Sequence, residues 1–238
     1  MNTSTALVTG ANKGIGKHIA RQLVAAGLSV YVGSRDADRG QRTVDEIGAG
    51  ARLLVLDVTN ATSIAEAARH VDDLDVLVNN AGISGEFDTG APVDVDSIRW
   101  IYETNVFGVV AVTNAFLPAL RRSAHPRIVN ISSGTGSLTW SAGPDRQFPP
   151  SGMAGAAYRS SKTALNALTV LYADDLASAG FKVNALAPGL RTTELNARAA
   201  ASDGDPAEAA AGAVRLALLP DDGPTGRFIS WDGSDVPW

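Results

Sequence analysis

Thr5-Ala6-Leu7-Val8-Thr9-Gly10-Ala11-Asn12-Lys13-Gly14-Ile15-Gly16 runs from an apolar segment into a glycine turn and on into the stretch Ile15–Ala26. Ala6–Thr9 has the length and continuous apolar character of a strand covered on both faces. Ile15–Ala26 carries its apolar residues at helical spacing. Glycines between the two let the backbone turn sharply and let a pyrophosphate approach the helix start, where free N–H groups and the dipole favour anions. The spacing is G-x-x-x-G-x-G, so the more familiar G-x-G-x-x-G fingerprint does not apply as written, and tight packing also selects glycine. The weight of the motif comes from its place between the first strand and the first helix.

The same alternation continues along the chain. Strands are expected at Ala6–Thr9, Ser29–Gly33, Arg52–Leu56, Val76–Asn79, Arg127–Ile131, Lys182–Ala187 and Arg227–Ser230, with helical spacing in Ile15–Ala26, Ala61–Val71, Asp96–Leu120 and Ala157–Ala179. Short apolar strands separated by helices predict an α/β fold: a Rossmann-type, doubly wound sheet of about seven parallel strands with helices on both faces. No repeat or linker divides the chain, so residues 1–238 are expected to form a single domain. Gly134–Ala156 and Thr192–Pro206 break the rhythm, and long loops in compact domains are usually functional or disordered.

Composition narrows the partners. Hydrophobic residues at 45% and charged residues at 19% are globular values. The net charge of −5, with no basic stripe, gives no support to a nucleic-acid partner. The absence of cysteine removes disulfides and thiol chemistry, and His18, His70 and His125 lie too far apart in sequence to suggest a metal site. No apolar run approaches the roughly 20 residues that span a bilayer, so the expectation is no membrane and a cytoplasmic protein.

The second strand ends Val32-Gly33-Ser34-Arg35-Asp36. An NAD-binding chain usually carries an acid at this point for the ribose hydroxyls. Here Ser34 stands there and Arg35 follows. A guanidinium and a hydroxyl can bind a 2′-phosphate that a carboxylate would repel, and Lys13 adds a second positive charge, so NADPH is the expected cofactor. The competing view is that Arg35 and Lys13 are solvated surface charges. Asp36 is expected to point away if Arg35 points in. Asp57-Val58 and Asn79-Asn80-Ala81-Gly82 close the third and fourth strands, where a carboxylate can accept from an adenine amino group and small residues leave room for a cofactor; either can also be only a turn.

Tyr158-Arg159-Ser160-Ser161-Lys162 opens a long apolar stretch, and residues four apart share a helical face. A phenol with pKa near 10 is a poor acid–base group until a nearby cation lowers that value, and the Lys162 ammonium together with an oxidised nicotinamide is expected to do so. Ile128–Gly134 reads as a buried strand ending in hydroxyls, at the sheet edge where open α/β folds bind ligands. Asn105 is a poor helix former in the middle of an expected helix.

Taken together and in this order, Gly10–Gly16, Asn79–Gly82, Asn105, Ser133, Tyr158/Lys162 and Pro188-Gly189 resemble the short-chain dehydrogenase/reductase family, from Thr5 to about Gly233. The resemblance implies that Tyr158 donates a proton in reduction and accepts one in oxidation. It implies that Lys162 holds the nicotinamide ribose, Ser133 orients the substrate oxygen, Asn105 holds a water linking Lys162 to solvent, and Thr193 contacts the nicotinamide carboxamide. Gly10, Asn12, Lys13, Gly14, Ile15, Gly16, Asn80, Ala81, Gly82, Pro188 and Gly189 would line the cofactor. Hydride transfer in the family is direct and metal-free. Asn12–Gly16, Ser34–Asp36, Leu216–Pro220 and the long Ser133–Tyr158 connection are most similar to the NADPH-dependent carbonyl reductases.

A small-molecule carbonyl or alcohol is therefore the expected substrate. In many relatives the long helices, here Asp96–Leu120 and Ala157–Ala179, build a subunit interface, which leaves monomer and homo-oligomer both open. Trp140, Phe148, Met153 and Leu190 either line an apolar pocket or, for the two aromatics, anchor a long loop. Two other readings compete: a catalytically silent dinucleotide sensor, which would not need Tyr158, Lys162, Ser133 and Asn105 together, and a sugar-nucleotide epimerase or dehydratase, which usually has more chain after Pro188.

Overall fold

The computed structural model describes residues 4–85, 94–149 and 152–238. Its strands are β1 (Thr5–Val8), β2 (Ser29–Ser34), β3 (Ala51–Val55), β4 (Val76–Asn79), β5 (Arg127–Ile131), β6 (Lys182–Ala187) and β7 (Phe228–Ser230). All pair in parallel, in the order β3-β2-β1-β4-β5-β6-β7. The helices are α1 (Gly14–Ala25), α2 (Ala37–Ile47), α3 (Ala61–Arg69), α4 (Val95–Tyr102), α5 (Gly108–Leu120), α6 (Leu138–Ser141), α7 (Ala156–Asp175), α8 (Ala197–Ala200) and α9 (Pro206–Ala217). Among the described residues no helix is long and apolar enough to cross a membrane.

The pleat divides the apolar residues between two cores. Ala6, Val8, Val76, Val78, Val129 and Ile131 face α1 and α9. Leu7, Leu77 and Ile128 face the other way, onto Ile64 of α3, Phe116 of α5 and Ala173 of α7. Burial on both faces explains why these strands read as continuous apolar runs.

The stretch expected as one helix, Asp96–Leu120, is interrupted. α4 passes through a π-helical turn at Glu103–Phe107 before α5 begins, and Asn105 is buried within that turn. Such bulges recur at functional sites because they re-aim side chains. The helix α2, not resolved by periodicity, buries only Gly40 and Thr43.

A buried polar ladder crosses the sheet. Asn79 Nδ2 donates to Asn130 Oδ1 at 2.9 Å and to Thr113 Oγ1 at 3.1 Å, and Asn130 Nδ2 donates to Thr169 Oγ1 at 2.9 Å. Asn79 and Asn130 are register partners between β4 and β5. The ladder therefore ties both strands to α7.

Candidate active site

β1 pairs with β2 on one side and β4 on the other, so the chain's winding reverses there. Open α/β sheets bind ligands at that reversal, beyond the carboxyl ends of the strands. A cleft of about 480 Å³ lies here, bordered by Gly10, Asn12–Gly16, Ser34–Asp36, Leu56–Thr59, Asn80–Ile83, Tyr158, Lys162, Pro188 and Thr193.

The glycine turn forms one wall. Gly10 has φ +61° and Gly14 φ +52°, conformations that side chains resist. At Gly16 a Cβ would come within 2.7 Å of the Gly10 carbonyl oxygen, so this glycine serves close packing of helix on turn. Asn80 sets the turn: its Nδ2 donates to the carbonyls of Thr9 at 2.9 Å and Gly10 at 3.2 Å. Ala81 adds to the clamp by donating its N–H to Thr9 Oγ1 at 3.0 Å. Asn12, Lys13, Ile15 and Val58 border the same cleft, and Thr193 faces Gly14, where a Cβ would lie 3.4 Å from the Thr193 methyl.

Arg35 and Lys13 both reach this cleft, and a third cation, Arg39, joins them. Arg39 enters because Asp36 caps α2, accepting from the Arg39 N–H at 2.9 Å, which turns the first helical turn toward the cleft. The expectation that Asp36 points away is not met: it borders the cleft too. Its carboxylate is engaged by Arg39, through that N–H and a guanidinium 3.4 Å away, and these contacts hold its carboxyl below the usual range. Ser34 is buried, and its hydroxyl donates to the Asp36 carbonyl at 2.7 Å, so its proton is committed to the turn rather than offered to a ligand. Asp57 is similarly occupied on one oxygen: Oδ1 accepts from the Thr59 N–H at 2.9 Å and hydroxyl at 2.7 Å.

At the other end, Tyr158 and Lys162 rise from the first turns of α7, with the Lys162 ammonium 5.8 Å from the phenol ring centroid. Lys162 Nζ donates to the Ile131 carbonyl at 2.9 Å. Burial pushes the Tyr158 phenol up to about 12, opposed in part by its hydrogen bond with Ser133, and pushes Lys162 down to about 8. The sequence led us to expect a lowered phenol, and the protein groups alone produce the opposite. Desolvation of both groups outweighs an ammonium directed at a backbone carbonyl.

Ser133 follows β5 and meets Tyr158 without bordering the cleft itself. Ser132, expected to point to the other face, borders the cleft instead, while its hydroxyl donates to Asn166 Oδ1 at 2.6 Å. Asn105 lies behind Gly82, where a Cβ would be 3.4 Å from Asn105 Oδ1 and 3.5 Å from Lys162 Nζ. Its amide is taken: Nδ2 donates to the Ile83 carbonyl at 2.8 Å and Ser161 Oγ at 3.0 Å, and Oδ1 accepts from the Ile83 N–H at 2.9 Å. Both amide hydrogens are thus used within the protein, and the side chain pins the Ala81–Ile83 loop. Gly189, φ +71°, sits outside the cleft against Trp231 and Arg191. Trp140, Phe148, Met153 and Leu190 do not border the cleft.

Residues 4–204 match the family described as short chain dehydrogenase. The chain is 33% identical to (-)-isopiperitenone reductase of Mentha piperita, over 95% of this chain and 96% of that one. It is 33% identical to salutaridine reductase of Papaver bracteatum, over 94% and 93%. The fold superposes on an NADPH-bound carbonyl reductase from chicken fatty liver with a TM-score of 0.84 at 28% identity, covering all of both chains.

Proposed function

Since this chain belongs to the short chain dehydrogenase family and is an NAD(P)-dependent oxidoreductase, we propose that it uses NADPH to reduce a ketone or aldehyde of a small molecule, with Tyr158 as acid and base. The observation that carries this reading is the half-buried Tyr158, its phenol hydrogen-bonded to Ser133 and one helical turn from Lys162 at the end of the cleft. Bound NADPH supplies a hydride to the carbonyl carbon. Tyr158 gives its phenolic proton to the substrate oxygen while Ser133 holds that oxygen. A phenol at about 12 is fully protonated at neutral pH, as a donor must be. The alkoxide developing on the substrate is a stronger base than the phenolate left behind, so the transfer runs downhill. Lys162, ionised below about pH 8, stabilises that phenolate and holds the ribose.

The residues suit this cofactor. The glycine turn at the start of α1 offers backbone N–H groups to a pyrophosphate. Gly82 keeps the passage to Lys162 open. Arg35, Lys13 and Arg39 gather at the end where a 2′-phosphate would lie. The pair of Lys13 with Glu194 at 4.0 Å is exposed and therefore weak enough to yield to a phosphate. The likeness to the NADPH-bound carbonyl reductase supports the same choice.

Absorbance at 340 nm, with NADPH or NADH and a panel of aldehydes, ketones and quinones, tests the reading. NADPH oxidation well ahead of NADH oxidation is expected. Tight NADPH binding with no turnover on any carbonyl would instead favour a dinucleotide sensor.

A further inference from the structure

We propose that Trp238 is a specificity-determining residue, fixing through Thr139 the Trp140–Phe148 ring pair that walls the substrate side of Ser133. The inference rests on the reductase reading above and extends it to substrate choice.

The two rings lie 6.1 Å apart, tilted by 60°. Both crowd Gly134, the residue after Ser133: a Cβ there would be 3.1 Å from Phe148 Cζ and 3.1 Å from Trp140 Cζ3. They thus stand against the residue that follows Ser133 in the chain, outside the dinucleotide cleft. A substrate oxygen held by Ser133 and Tyr158 brings the rest of an apolar molecule toward this pair.

The segment carrying the rings has little internal support. α6 is a single turn capped by Ser137 Oγ, which accepts from the Trp140 N–H at 3.0 Å, and the Gln147 N–H donates to the Trp140 carbonyl at 2.8 Å. Its tie to the sheet is at Thr139, whose N–H and hydroxyl both donate to the Trp238 carbonyl, at 3.2 and 2.8 Å. Trp238 is itself stacked on Phe228 of β7, ring centroids 5.3 Å apart and planes 18° from parallel. Trp140 packs beside that stack, on a small cluster of Ala185, Ala187, Phe228 and Val236. This cluster is separate from the two large cores of the sheet. The Trp238 ring, stacked on Phe228, holds in place the backbone oxygen that Thr139 bonds, so its loss frees that oxygen and loosens the ring-bearing segment while leaving the sheet standing. Bulky apolar carbonyls lose a rigid wall, whereas small aldehydes lose nothing they touch.

The test uses Trp238→Ala and Thr139→Val in the full chain, with two readouts. One is the rate of trypsin cleavage after Arg146, an exposed residue of the same segment. The other is the ratio of kcat/KM for a bulky aryl ketone to that for a small aldehyde at saturating NADPH, with KM for NADPH as control. Both variants should be cut faster at Arg146 and should lower the ratio by about tenfold, with KM for NADPH unchanged. Unchanged cleavage overturns the tie; faster cleavage with an unchanged ratio overturns the specificity role. If Trp238→Ala does not fold, Thr139→Val decides, because it removes the shorter of the two Thr139 bonds and keeps every ring contact. An unsubstituted protein inactive on every carbonyl refutes the reductase reading and the specificity role with it, and the Arg146 rates still decide the tie.

Discussion

Tyr158 and Lys162 share one helical face, Lys162 buried and Tyr158 half-buried, and desolvation drives them toward neutrality from opposite directions, the phenol up to about 12 and the ammonium down to about 8. Replacing Tyr158 by Phe removes the proton donor with little change in shape. Turnover should fall by roughly 10²–10⁴-fold with the NADPH dissociation constant, read by fluorescence titration, unchanged; retained turnover would take Tyr158 out of the acid–base role. Lys162 sets a pH dependence. It is charged below its value of about 8 and neutral above it, so kcat/KM for NADPH, which reports groups of the free protein, should be level below pH 8 and decline above it. The decline should vanish in Lys162→Met, whose activity is low throughout; an inflection persisting in that variant would assign the titration elsewhere. The spacing of these two residues is legible in sequence, since it follows from helix geometry. The direction of the phenol's shift is not, because spacing says nothing of how deeply a ring is covered or where a neighbouring ammonium is aimed.

At the scale of elements, the π turn between α4 and α5 brings Asn105 to the Ile83 backbone. Asn105→Ala strands an N–H and a C=O in a buried place, at a cost of about 2 kcal/mol. The melting temperature should fall by about 4–8 °C; no change would mean that water replaces the amide freely. Gly136 makes a second element-level contact, since a Cβ there would lie 2.9 Å from the Lys162 backbone. Gly136→Ala should displace α7 and lower turnover together with stability, and full activity at wild-type melting temperature would show that the helix yields. Asn105 stands out in sequence as a poor helix former, yet the bulge depends on a partner loop distant in the chain. Arg39 is harder to see. It reaches the cleft only because α2 begins at Ala37, and that helix announces itself weakly, since only Val44 and Ile47 among its large side chains pack on the core and polar residues fill the rest.

The whole molecule carries a net charge of −5, yet one end of its cleft gathers Lys13, Arg35 and Arg39. The pull of these cations on a phosphate, shared with Asp36 and Glu194 beside them, is screened over a Debye length of about 8–10 Å at ordinary ionic strength. Raising salt should therefore increase KM for NADPH more than KM for NADH, and Arg35→Asp should reverse the preference between them. Equal salt effects, or an unaltered preference, would remove the phosphate contact from this end. The sheet itself is legible because strands buried on both faces are apolar throughout, whichever way each residue points. What lies over its edge is less so: Trp140 and Phe148 mark a long loop, and only the fold shows that Trp238 meets Thr139, the residue before Trp140.

The ladder from Asn79 through Asn130 to Thr169 has a consequence for how the chain reaches this sheet. Parallel strands distant in sequence find one another slowly, and the apolar residues of β4 and β5 would accept more than one alignment. A slip by one residue would turn each asparagine to the opposite face and bury its amide without a partner. The three side chains thus single out one alignment of β4 and β5 by energy where apolar neighbours alone would not distinguish it.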